Sequence, residues 1–166
     1  MAPDNFDRRV RRHAALVALA CGVLYFALIV AVFGVVSLLT NTEVVANTGI
    51  SPFVGPGMAA VAVALVTGML VLRSPRAADD GLDWGYSLLT GVVAVVGYVI
   101  AAFALVSVDR GAADGAHFAW VTLLGGYDLV IGGLAVAVAF LYSFIIARRY
   151  DERGRPRWTW EDDFDA

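Results

Sequence analysis

The sequence predicts an all-α integral membrane protein: a bundle of four transmembrane helices, antiparallel in an up-down-up-down order, with both termini cytoplasmic. Three observations predict it. Hydrophobic residues make up 60% of the chain and charged residues only 16%, with a mean hydropathy of +0.74, against roughly 45–50% and 25% in soluble domains. The apolar excess is gathered into four runs, each near or beyond the ~20 residues that cross a bilayer as a helix. The arginines lie almost entirely on one side of those runs. No run alternates with a period of two, so a β-barrel is disfavoured, and helices are the remaining way to satisfy backbone groups in hydrocarbon.

A polar tail, 1–13, carries Arg8, Arg9, Arg11 and Arg12. The first span is then 14–39, interrupted only by Tyr25 and Ser37. Arginines followed by an apolar run also describe a signal peptide, and Val44, Val45 and Ala46 could form its cleavage site. A signal core holds ~7–15 residues, far fewer than this run, so a retained helix is expected. A polar connection with Gly and Pro leads to the second span, 53–72. Pro56 and Gly57 fall in its first turn, where a proline's missing N–H costs nothing. Arg73, Pro75, Arg76 and Asp79 mark a charged loop before the third span, 84–108. Residues 109–116 read as a short outer loop, 117–147 as the fourth span and 148–166 as a polar tail. Such short loops make successive helices antiparallel neighbours.

Orientation follows from charge. There is no Lys, and every Arg except Arg110 belongs to the two tails or the 73–83 loop. The positive-inside rule puts that side, and with it both termini, in the cytoplasm; Arg without Lys amid abundant Ala, Val and Gly suggests a GC-rich bacterial genome, so a bacterial inner membrane is expected. Trp84, Tyr86 and Tyr150 would then mark the inner surface, and Phe53, Phe118 and Trp120 the outer one.

Several chemistries are disfavoured. Cys21 is the single cysteine, so neither an internal disulfide nor a redox pair can form, and a small packing residue is the expectation. His13 and His117 sit at opposite ends of the bundle and cannot share a metal or a haem. No Ser-His-Asp set lies at one depth, and there is no phosphate-cradling glycine loop and no HExxH motif. The chain therefore reads as non-enzymatic and without a cofactor. No basic face remains for nucleic acid once the spans are placed. The bilayer is the main partner, with a second copy or another membrane protein as further candidates.

Asp128 is the acidic residue inside an apolar run, and an ionisable group in a membrane helix is a functional candidate by default. Its depth depends on where the fourth span is centred. Centred on 117–147, Asp128 lies only ~7 Å outside the midplane at 1.5 Å per residue. Counted back ~20 residues from Arg148, it lies at the outer boundary as a hydrated carboxylate. Buried, it is the proton-exchanging group of a transporter, with hydroxyl partners among Tyr127, Tyr25, Tyr98, Thr67 and Thr122. Gly125, Gly126, Gly132 and Gly133 surround it. They serve close packing or a local unwinding that shapes a site.

Small residues recur every fourth position at Ala14, Ala18 and Gly22; at Pro56, Ala60, Ala64 and Gly68; and at Ala135, Ala139, Ser143 and Ala147. Packing within the bundle and a homodimer seam both fit this pattern. In the C-terminal tail, Arg153, Arg155 and Arg157 precede Trp158 and Trp160, and then an acidic end. The tail is either solvated or an anchor to the anionic inner leaflet with a short docking motif.

Glu43 and Val44 after the first span, Gly55, Pro56 and Gly57 opening the second, and Gly154 to Trp158 followed by Trp160 and Glu161 together resemble an uncharacterised family of small four-helix membrane proteins from GC-rich bacteria. The resemblance covers most of the chain. It implies the fold and no activity. Function then rests between a non-catalytic accessory, scaffold or regulatory component of the cell envelope and, as the alternative, a small proton-coupled transporter or channel using Asp128 as a homodimer.

Overall fold

The computed structural model describes residues 3–40, 51–73 and 83–151. They form five helices: α1 Pro3–Thr40, α2 Val54–Arg73, α3 Trp84–Arg110, α4 Ala112–Leu124 and α5 Tyr127–Asp151. No strand occurs among the described residues. Four helical segments are long and apolar enough to cross a membrane: Arg12–Leu39, Val54–Arg73, Trp84–Arg110 and Tyr127–Ala147. Large side chains such as Leu38, Leu72 and Val108 stand outward uncovered. That is a poor surface for water and a good one for lipid.

The sequence expectation of four helices needs correction. The first helix starts at Pro3, so much of the expected polar tail belongs to the same helix as the span. Residues 109–116 are not a loop. Helix α3 runs to Arg110, Gly111 alone makes the turn, and α4 begins at Ala112. Gly111 adopts φ 99° and ψ 163°, a region essentially closed to residues with a Cβ. The expected continuous span 117–147 is two helices, parted at Gly125 and Gly126. Gly126 has φ 78°, which ends α4 in the left-handed turn that glycine adopts without strain. Gly125 closes the last turn through its N–H to the carbonyls of Val121 and Thr122, 2.9 and 3.2 Å.

Lipid tails are as apolar as leucine, so burying apolar surface between membrane helices gains little, and close packing holds them instead. The glycines show where. A Cβ on Gly91 of α3 would lie 3.0 Å from the Gly132 carbonyl of α5 and 2.5 Å from Val136. Trp84 packs on Phe140 with ring centroids 4.6 Å apart. These contacts run α5 back along α3. Gly97 lies against Leu65, and Gly57 against Leu105, which does the same for α2 and α3. The core threads through Tyr25, Ile29, Val66, Leu70, Tyr98, Ile131, Val138 and Tyr142.

One end of the α2–α3 pair is clasped by charge. Asp83 caps α3 by accepting from the Tyr86 N–H at 3.1 Å and takes the Arg73 guanidinium at 3.1 Å. Arg73 lies 4.2 Å from the centre of the Tyr86 ring, and the Tyr86 hydroxyl donates to the Met69 carbonyl. The Tyr86 N–H first, and the Arg73 charge with it, hold the Asp83 carboxyl below the usual carboxylate range.

Candidate intramembrane polar site

The break at Gly126 sets the site. Helix α5 restarts at Tyr127, which puts Asp128 in its first turn. The backbone N–H groups of a first turn point their positive ends along the axis and favour a carboxylate there, typically by 0.3–1 kcal/mol and up to ~2 when partly buried. Asp128 is 3% exposed. Its Oδ1 is buried and has no hydrogen-bond partner.

Its surroundings come from α1 and α3. Asp128 and Tyr127 both lie within electrostatic reach of Tyr98, which is buried at the middle of α3. Tyr98 in turn lies within reach of Tyr25 on α1. The Tyr25 hydroxyl donates to the Ile131 carbonyl at 3.0 Å, one turn below Asp128 and 106 residues away in sequence. Tyr127 meets Phe33 of α1 edge-on, with centroids 5.7 Å apart and planes at 84°. Asp128, Tyr127, Tyr98 and Tyr25 are thus brought together by α1, α3 and α5, level with the middle of α3 and at the start of the span Tyr127–Ala147. At 3% exposure Asp128 is covered by the other helices. Thr122 instead donates to Phe118 in its own helix at 2.9 Å, and Thr67 lies against Gly22 between α1 and α2.

Removing an ion pair's carboxylate from water costs several kcal/mol even after relaxation. A helix N-terminus offsets only part of that. Among the arginines whose side chains are described, Arg73 and Arg110 lie in the last turns of α2 and α3, and Arg12 is exposed on α1. Between α1 and α2 is a cavity of about 420 Å³. Phe26, Ile29, Val30 and Phe33 line it from α1, Gly55, Pro56 and Ala59 from α2, and Tyr98 from α3.

A model of a family of unknown function, DUF6121, matches residues 7–166. The chain belongs to that family. The match takes in every described helix but the first residues of α1. No curated protein and no solved structure matches the chain. The family description carries no activity, so the functional residues of this DUF6121 chain rest on geometry.

The other sequence candidates are distributed as follows. Ala14, Ala18 and Gly22 are buried in the bundle, as are Ala135, Ala139 and Ser143. Pro56, Ala60 and Ala64 face outward instead. Trp158 and Trp160 lie outside the described residues. Sequence reading missed the Arg73, Asp83 and Tyr86 clasp. Its signal was an aspartate one residue before a span that begins with Trp84, the position of an N-cap.

Proposed function

We propose that the protein is a small proton-coupled transporter or channel whose working group is Asp128. One observation carries this reading: a buried carboxylate, with an oxygen left unbonded, in the first turn of a helix that restarts after a break inside an apolar run. Interrupted helices with a polar group at the break are how secondary transporters build ion and substrate sites near the bilayer midplane. The tyrosines around Asp128 supply hydroxyls to a changing charge without fixing a permanent counter-ion. The arginine asymmetry supports an inner-membrane setting with both termini in the cytoplasm. Four spans enclose little polar space, which favours a homodimer, and the outward Pro56, Ala60 and Ala64 face supports close approach of a second copy. The test is proton flux into proteoliposomes under an imposed pH gradient, followed with a trapped dye. Wild type should collapse the gradient faster than Asp128→Asn, and equal rates would overturn the reading.

A second reading rests on α4. Only Gly115 of this helix is buried, while Trp120, Val121, Leu123 and Leu124 stand outward. Such a peripheral apolar helix suits a non-catalytic accessory, scaffold or regulatory subunit that packs against another membrane protein. On that reading Asp128→Asn leaves the role intact, and Trp120→Ala weakens it.

A further inference from the structure

The cavity beside Tyr98 has an occupant implied by its chemistry. Its volume of about 420 Å³ falls within the range of small-molecule sites, whose walls are mostly apolar with a few convergent polar groups. Phe26 and Val30 at its edge are exposed on the outer surface of α1. The cavity therefore opens sideways toward lipid, and what enters must first dissolve in the bilayer. Tyr98 and Phe33 form part of the wall, and the Phe33 ring meets that of Tyr127, the residue next to Asp128. Phe26, Phe33 and Tyr98 add aromatic faces that attract a cation within ~6 Å.

We propose that this groove binds a lipophilic monovalent cation, held between α1 and α2 against Tyr98, with Asp128 as its counter-charge. The proposal deepens the transport reading and rests on it for the role of Asp128. An acyl chain would fill the apolar walls but leave the carboxylate without a counter-charge. An anionic amphiphile would be repelled by it.

The experiment uses the full chain in phosphatidylcholine nanodiscs. Tetraphenylphosphonium and tetraphenylborate carry the same four rings around a positive or a negative centre. Each is measured by equilibrium dialysis, with protein-free nanodiscs subtracted. The phosphonium should bind saturably, one per chain, and the borate should not saturate. Asp128→Asn should weaken phosphonium binding at least tenfold. Val30→Trp, at the exposed mouth and away from the carboxylate, should weaken it by a similar factor with helix content unchanged. Equal saturable binding of both ions by wild type would overturn the proposal, as would unchanged phosphonium binding in Val30→Trp. Asp128-dependent proton flux without phosphonium binding would overturn the ligand class alone. Phosphonium binding lost in both variants, with no Asp128-dependent flux, would uphold the site and overturn transport.

Discussion

Gly125 and Gly126 are adjacent, yet the structure predicts opposite consequences for replacing them. Gly126 has φ 78°, and a Cβ built there meets nothing within 4 Å. The cost of Gly126→Ala is therefore backbone strain alone, about 1–2 kcal/mol for an L-residue held in the left-handed region. Gly125 has φ −72° and ψ −14°, ordinary right-handed geometry. Its Cβ would lie 3.3 Å from the Val121 carbonyl, a contact a small shift relieves. Gly125→Ala should therefore be neutral, or gain up to about 0.4–1 kcal/mol by restricting the unfolded chain. Gly126→Asn should fall between the two, since asparagine tolerates this region better than alanine. The assay is reversible unfolding in mixed micelles at rising mole fraction of a denaturing detergent, followed by helical circular dichroism. Equal effects of the two alanine variants would refute the reasoning. So would a stabilised Gly126→Ala, because it would mean that α4 and α5 are one continuous helix.

Two further outcomes follow from the same structure, and a third from the proposed placement of both termini in the cytoplasm. Tyr25→Phe removes the hydroxyl that donates to Ile131 and should destabilise by about 0.5–1.5 kcal/mol in the same assay, with the cavity unchanged. Asp83 has its carboxyl held below the ordinary value of 3.8. Its contribution to stability is therefore present above that value and is lost as the pH falls through the lower folded-state value. An unfolding series from pH 7 to pH 3 should show that acid loss shrink in Asp83→Asn, which keeps a capping side chain without the charge. Cysteines placed at Thr48 or Ala113 in a Cys21→Ala background should react with an impermeant thiol reagent in intact cells. Cysteines at Ser74 or Thr159 should react only after lysis, and labelling at Ser74 in intact cells would contradict the inward termini.

The spans were legible because hydrocarbon thickness sets one length and every helix must meet it with apolar side chains. The break was not. Residues 117–147 are apolar throughout, and hydropathy does not register a single change of φ. Two glycine pairs lie close together there, 125–126 and 132–133, and sequence alone does not separate them. The structure uses them differently: Gly126 turns the chain, while Gly132 lies against Val95 and the Gly91 carbonyl. The difference comes from α3, which packs on Gly132 and leaves Gly133 open. The depth of Asp128 inherits this uncertainty, because it depends on where α5 restarts. Tyr25, Tyr98 and Tyr127 could be named as candidates because a hydroxyl inside an apolar run needs a reason. That Tyr25 would bond across 106 residues to Ile131 is a matter of helix register, which the stripes of small residues only hint at. The α2 stripe, outward at Pro56, Ala60 and Ala64, shows that such spacing alone does not mark the inner face.

The central claim is that Asp128 is a carboxyl group buried between helices and screened from bulk water there. Carbodiimides react with the protonated form of a carboxyl group, and their own polarity decides which groups they reach. Membranes containing the protein are treated in parallel with dicyclohexylcarbodiimide and with a water-soluble carbodiimide, and the adduct is located by mass spectrometry of peptides. Modification of Asp128 by the hydrophobic reagent but not by the soluble one, with loss of the adduct in Asp128→Asn, is the predicted result. Modification by the soluble reagent to the same extent, or no modification of Asp128 by either, would contradict it.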